Sequence, residues 1–170
     1  MKRSSLVAIL SLFIFCFACT SYEFDKKKFE NVNHAAKAVR DYVKAGADIK
    51  QFEDLLQKLS SEIAILKDRV KSEKERKLLK DYSNLLTIYR DGLILWKYKT
   101  EFTRYGFVPK GLIYVGQDVE SIVEKYRLPT ESHIFKPTKQ SWKSIPESSI
   151  QIIWMNANSQ LEIINNILNY

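Results

Sequence analysis

The stretch FEDLLQKLSSEIAILKDRV, residues 52–70, decides the fold class predicted for this chain. Its apolar side chains recur at alternating steps of four and three residues, at Phe52, Leu56, Leu59, Ile63, Leu66 and Val70. This spacing forms one apolar stripe along a helix, and such a stripe packs against a neighbouring helix at a shallow crossing angle. Asp48, with Gln51 three residues later, is typical of a helix start.

A longer helix is predicted to follow this one. Ser72 and Glu75 have the spacing of a capping box, so the helix is expected to begin there and to run to about Arg104. Aromatic residues at seven-residue steps lie on its apolar stripe, at Tyr82, Tyr89 and Trp96. The two helices are predicted to form an antiparallel hairpin. One continuous helix through residues 71–74 is the alternative, since no strong helix breaker occurs there.

Three more helices complete the prediction. Apolar periodicity predicts a first helix that begins near Phe29 and ends at Gly46, and a last helix that follows a second capping box, Ser144 to Glu147. A short helix is expected just before Pro129.

Residues 105–146 contain all four prolines and three of the five glycines, and most of this stretch shows no helical periodicity. The prediction is therefore an all-α fold, a helical bundle of about four main helices with a long antiparallel hairpin, one short helix and an irregular insertion at 105–146. The alternative is an α+β fold in which residues 107–115 pair with part of 131–136.

The first twenty residues have the order of an export signal. Lys2 and Arg3 are followed by an apolar run over residues 6–17, and then Ala18 precedes Cys19. This order resembles the signal of bacterial lipoproteins as a class. In that class the chain is cleaved before the cysteine, whose sulfur then carries lipid.

The resemblance implies a signal peptide over 1–18, a lipidated tether over 19–31 and a single helical domain over 32–170. It implies that Cys19 anchors the chain in the lipid bilayer. By the sorting rule of enteric-type bacteria, Thr20 places the protein in the cell envelope at the outer membrane, facing the periplasm. Ordinary secretion after cleavage at the same site and an uncleaved anchor stay open as alternatives. As a helix the apolar run would measure about 18 Å, against a hydrocarbon core of ~30 Å.

The mature chain would carry a mild basic excess. Without Lys2 and Arg3, 25 of the 27 basic residues remain, against 20 acidic ones. The two signs alternate along the folded part, so nucleic acid is not predicted as a partner. The cluster Lys26–Lys28 falls in the predicted tether, where it would face either solvent or anionic headgroups.

No motif for catalysis, a metal or a cofactor is recognised. The GxxxxG spacings at 106–111 and 111–116 lack the lysine and hydroxyl residue that hold phosphates. His34 and His133 lie far apart in sequence and have no partner ligands for zinc, and His133 is interpreted as an exposed loop residue. The protein is therefore predicted not to be an enzyme. An enzyme or small-ligand binder with its site in residues 105–146 is the alternative.

The predicted binding surface lies in the insertion, where apolar side chains occur outside helical stripes. Its predicted partner-binding residues are Phe107, Tyr114, Trp142 and Lys143. Aromatic residues anchor interfaces and lysines attract a partner with an acidic face. For Trp142 the alternative is a residue that clamps the insertion onto the bundle. The function predicted is a membrane-anchored adaptor or protein-binding module with an envelope protein as its partner.

Overall fold

The computed structural model describes residues 24–46, 48–104 and 108–169. A short 3-10 helix at Lys26–Phe29 opens the described chain. The five α-helices are α1 (Glu30–Ala45), α2 (Ile49–Lys67), α3 (Glu73–Arg104), α4 (Gln117–Tyr126) and α5 (Ser149–Asn169). The three strands are β1 (Leu112–Tyr114), β2 (Glu131–Phe135) and β3 (Gln140–Pro146).

Helices α1, α2, α3 and α5 form a four-helix bundle, in which α3 packs against both α2 and α5. Aromatic rings fill the middle of the core. The ring of Phe52 lies 6.4 Å from that of Tyr89, 5.7 Å from Trp96 and 5.8 Å from Trp154, measured between centroids. Phe52 opens α2 and Trp96 lies late in α3, so these helices run antiparallel. Burying large aromatic rings contributes much of the hydrophobic stabilisation of a core this size.

The predicted hairpin is confirmed, and the continuous helix is excluded, because α2 ends at Lys67 and α3 begins at Glu73. The capping box predicted for α3 is also present. The Glu75 amide donates to Ser72 Oγ (3.1 Å), and the Ser72 amide donates to Glu75 Oε2 (3.1 Å). This reciprocal pair satisfies two backbone donors that a helix start leaves without partners.

The Glu75 carboxylate does more than cap α3. Its side chain is fully buried, and it also accepts the backbone amides of Lys71 (2.7 Å) and Asp25 (3.3 Å) and the ammonium of Lys28 (2.8 Å). Burial alone would raise the pKa of Glu75, but these hydrogen bonds outweigh it and lower the pKa to about 2. One carboxylate thus joins the 3-10 helix to the turn between α2 and α3.

The anti-parallel sheet contradicts the all-α prediction. Residues 105–146 contain a three-stranded antiparallel sheet in the order β1-β3-β2, so the fold is mixed α/β. The α+β alternative also assigned the wrong pairing. Leu112 pairs with Pro146 and Phe135 pairs with Gln140, so β3 lies between the two segments that were expected to pair directly.

The positions of the prolines explain why the sequence predicted an irregular segment where the sheet occurs. Pro129 and Pro137 lie outside the strands, and Pro146 is the last residue of β3. A proline at a strand end removes no ladder hydrogen bond when no strand lies opposite its nitrogen, whereas a proline inside a central strand does. The three prolines therefore delimit the strands, although their density is typical of an irregular segment.

Residues 24–31, which were assigned to the tether, belong to the folded part of the chain. Phe29 is fully buried, and its ring stacks on Tyr82 of α3 at 6.2 Å. Phe24 is half-buried and packs against Phe29, with ring centroids 6.0 Å apart. Within the described residues, no helix is both long and apolar enough to cross a bilayer.

Gly92 lets α5 approach α3 closely. A Cβ at this position would lie 2.2 Å from the Trp154 ring, so the indole occupies the space where any other side chain would begin. The same indole packs on Tyr89 at 6.4 Å. A glycine inside a long helix therefore has a packing reason here, although glycine lowers helix propensity.

Replacing Gly92 with alanine is expected to lower the free energy of unfolding by about 1–3 kcal/mol, because the methyl group displaces the Trp154 ring from a packed core. Helix propensity alone would predict a gain of about 1 kcal/mol. Urea unfolding followed by circular dichroism measures the difference. Asn84→Ala, at an exposed position of the same helix, is the control and should change stability by less than about 0.5 kcal/mol. An unchanged or more stable Gly92→Ala variant would contradict the packing.

The low pKa of Glu75 predicts a specific acid sensitivity. In the unfolded chain the group titrates near 4.5 and in the fold near 2, so its stabilisation is complete above pH 4.5 and is lost as the pH falls through 2. With about 1.4 kcal/mol per pKa unit, it is on the order of 3 kcal/mol. Glu75→Gln should be less stable than the wild type at pH 7, and this gap should shrink steadily below pH 4.5. Exposed Glu73→Gln should show no such gap.

Candidate functional site

The sheet at the far end of α3 has two unlike faces. In β1 and β3, Ile113 and Ile145 pair with each other and are fully buried. Because side chains alternate along a strand, Tyr114 and Trp142 lie on the opposite face. His133 of β2 pairs directly with Trp142 across the strands and therefore shares that face.

Five rings form a continuous series on this second face, here called the aromatic row: Tyr98, Phe102, Tyr114, Trp142 and His133. The centroids of successive rings lie 5.3, 5.1, 6.3 and 4.2 Å apart. The row begins on the last turns of α3 and ends on β2. All five side chains are half-buried, so the row is partly accessible to solvent.

Neighbouring groups hold the row in place. Tyr98 donates its hydroxyl to Asp118 at 3.2 Å, and burial together with this carboxylate raises the pKa of Tyr98. His133 Nε2 lies 2.8 Å from the hydroxyl of the buried Ser144. A Cβ at Gly116 would come within 3.1 Å of the rings of both Tyr98 and Tyr114, so this glycine lets the chain pass close to them.

The structure brings together two of the predicted partner-binding residues. Tyr114 and Trp142 are neighbours in the aromatic row, with their rings 6.3 Å apart. Lys143 lies on the opposite face, where its ammonium is 3.8 Å from a carboxylate oxygen of Glu120. Phe107 and the predicted lipid attachment residue Cys19 lie outside the described residues.

β1 and β2 are the two outer strands of the sheet, and the outer side of β2 is here called the free edge. The Val115 amide donates to the Lys143 carbonyl at 2.9 Å, so Lys143 directs its backbone groups towards β1. Neighbouring residues in a strand point these groups to opposite sides, so Trp142 directs its own towards His133 in β2. In β2 the alternation then leaves the N–H and C=O groups of Ser132 and Ile134 directed away from the sheet. No described strand pairs with that side of β2.

Apolar side chains accompany the free edge. Ile134 is 69% exposed and Phe135 is 53% exposed, although both are large hydrophobic residues. Phe135 lies on the same face as the aromatic row, and Ile134 lies on the other face. Lys136 and Lys139 are exposed in the turn that follows. An exposed apolar edge strand is a template for pairing with another chain.

The sequence interpretation noted Phe135 among the apolar side chains of the insertion but did not assign His133 or Ile134 to a binding surface. The interpretation of His133 as an exposed loop residue was wrong, because it lies in β2 and stacks on Trp142 at 4.2 Å. The available signal was the segment ESHIF between Pro129 and Pro137, a short apolar stretch bounded by turn residues.

Two open clefts lie beside the insertion. One, of about 440 Å³, is lined by Lys99, Arg104, Lys110 and Glu147 among others. The other is lined by Trp96, Trp154 and the Lys99–Glu147 ion pair. Glu75, whose pKa is lowered, lies at the other end of α3. Among the described residues no group of three or more His, Cys, Asp or Glu side chains is placed to hold a metal ion. The enzyme or small-ligand alternative stays a prediction.

No protein-family model, no curated protein and no solved structure matches this chain.

Proposed function

We propose that this protein is a non-enzymatic binding module, anchored by lipid in the bacterial cell envelope, which captures an extended segment of a partner protein at its sheet. The observation that carries the proposal is the uncovered edge of β2. It offers the backbone groups of Ser132 and Ile134 to a further strand, beside the exposed side chains of Ile134 and Phe135.

Strand addition uses these features together. An incoming strand would hydrogen-bond to Ser132 and Ile134, which supplies affinity that does not depend on sequence. Its alternate side chains would pack on His133 and Phe135 at the end of the aromatic row, and this packing supplies specificity. The exposed ammonium groups of Lys136 and Lys139 favour an acidic residue near the end of that strand.

The anchor is the second part of the proposal, and it is supported by the resemblance of residues 1–20 to lipoprotein signals. The described chain begins with Phe24, five residues after Cys19. Acyl chains on Cys19 would therefore hold the folded domain close to the bilayer, and two or more acyl chains would give a stable anchor.

Site-specific photocrosslinking tests the edge. A photoreactive amino acid at Ile134 is expected to link to a partner protein in the native membrane, whereas the same group at Met155 is not. Both positions are equally accessible, with exposed fractions of 69% and 67%, so accessibility cannot explain a difference.

Ser132→Pro should lower the Ile134 crosslink at least tenfold, because it removes one outward N–H group and leaves the pairing with β3 intact. Trp142→Ala should weaken it as well. Lys143→Ala is the control, because its side chain lies on the face opposite the aromatic row, and it should change the crosslink yield by less than about twofold. Equal crosslinks from Ile134 and Met155, or a yield that Ser132→Pro does not change, would contradict strand addition.

Intact-mass analysis of membrane-extracted protein tests the anchor. The mature chain is expected to begin at Cys19 and to carry acyl mass, and Cys19→Ser should abolish both the acyl mass and the cleavage before residue 19. Cys16→Ser is the matched control and should keep both. A mature chain without acyl mass would support ordinary secretion, and a chain that keeps residues 1–18 would support an uncleaved anchor.

A further inference from the structure

The end of the bundle opposite the sheet gathers basic side chains. The residues between 67 and 80 include seven basic ones, Lys67, Arg69, Lys71, Lys74, Arg76, Lys77 and Lys80. They include three acidic ones, Asp68, Glu73 and Glu75, of which Glu75 is buried and paired with Lys28. The 3-10 helix adds Lys26 and Lys27, both exposed. We call this region the basic end.

The chain outside the described residues enters at the same place. Phe24 is the first residue described, and the Lys74 ammonium lies 4.4 Å from the centre of its ring. The Asp25 amide donates to Glu75. Residues 1–23, with their apolar run and the predicted attachment residue Cys19, therefore join the domain at the basic end.

A groove between α2 and α3 opens beside this end. It has a volume of about 470 Å³ and an apolar floor that includes Ile63, Ala64 and Leu79. The cations Lys67, Arg76 and Lys80 line it, with the hydroxyl residues Ser60 and Ser83. None of these lining residues is acidic. An apolar floor with a cationic rim is complementary to a lipid that has an anionic headgroup.

We propose that the basic end, including the α2–α3 groove, binds the surface of an anionic lipid bilayer. The excess of exposed cations favours an anionic surface, and the entry of residues 1–23 brings the membrane to this end rather than to the sheet. Helix α3 has 32 residues and is about 47 Å long, so the sheet lies at the other end of this helix from the basic end. The inference rests on the proposed membrane location but needs neither acylation of Cys19 nor strand capture.

Vesicle binding of the full chain tests this inference. Vesicles of phosphatidylcholine alone are compared with vesicles that contain 30% phosphatidylglycerol. The apolar N-terminal run binds both, so the ratio of the two partition coefficients reports the charge contribution. Each basic residue at an anionic surface contributes up to about fivefold in affinity. We expect a ratio above about 10 at low salt, and a ratio near 1 in 0.5 M salt because of screening.

Substitution at the groove locates the contact. Lys67→Gln, Arg76→Gln and Lys80→Gln together should lower the ratio at least threefold. Lys110→Gln, Lys136→Gln and Lys139→Gln remove the same charge at the sheet end and should change it by less than about twofold. Because Arg76 also donates to the Lys71 carbonyl, the pair Lys67→Gln and Lys80→Gln is measured as well, with circular dichroism as a check of folding.

Equal losses in the two triple variants would mean that net charge alone drives binding, and this would overturn the proposal. A wild-type ratio near 1 at low salt would overturn it too. Ser132→Pro should leave the ratio unchanged, so a failure of strand capture and a failure of bilayer docking are observed separately.

Discussion

The buried carboxylate of Glu75 is the contact on which the arrangement of the bundle depends. It accepts hydrogen bonds from Ser72, Lys71, Asp25 and Lys28, which belong to the α2–α3 turn and to the entry of the chain. An ionised group is tolerated in the interior only when its hydrogen bonds are complete, and here two oxygens have four donors. Glu75 therefore fixes where α3 begins and where the first described residues attach to it.

The core extends from Glu75 along α3 towards the sheet. Phe29 stacks on Tyr82, which lies two turns after Glu75 in α3, and the cluster of Phe52, Tyr89 and Trp154 lies near the middle of this helix. The close approach at Gly92 brings α5 into that cluster. The last turns of α3 then supply Tyr98 and Phe102 to the aromatic row. The same helix thus connects the basic end, the core and the sheet.

Most helices could be predicted from the sequence because helix signals are local. The capping box predicted at Ser144 to Glu147 was wrong, because Ser144 lies in β3 and α5 begins at Ser149. Periodic apolar residues and the capping box at Ser72 and Glu75 gave the α2–α3 hairpin, but they could not reveal that Asp25 and Lys28 share the same carboxylate. Those partners lie 47 or more residues away in sequence. The packing role of Gly92 was hidden for the same reason, since it depends on Trp154 of another helix.

The sheet was not predictable to the same degree, because strand pairing is non-local and each strand is short. The segment 112–114 has only three residues, and its partner β3 follows more than twenty residues later. Tyr114 and Trp142 were selected as aromatic residues outside helical stripes, and the structure makes them neighbours. Lys143 was selected with them, but alternation along β3 turns it to the other face, a distinction that requires the strand register.

The basic end and the sheet lie at opposite ends of α3, and their surfaces would bind through different physical interactions. Charge dominates near Lys67 and Arg76, where interactions are long-ranged and screened by salt, whereas the edge of β2 presents backbone groups and apolar side chains, whose interactions require contact. A rigid helix of about 47 Å exceeds the ~8 Å Debye length at physiological ionic strength several times over. The basic end therefore exerts little electrostatic effect on a segment at Ser132 and Ile134, and the two surfaces are able to act independently.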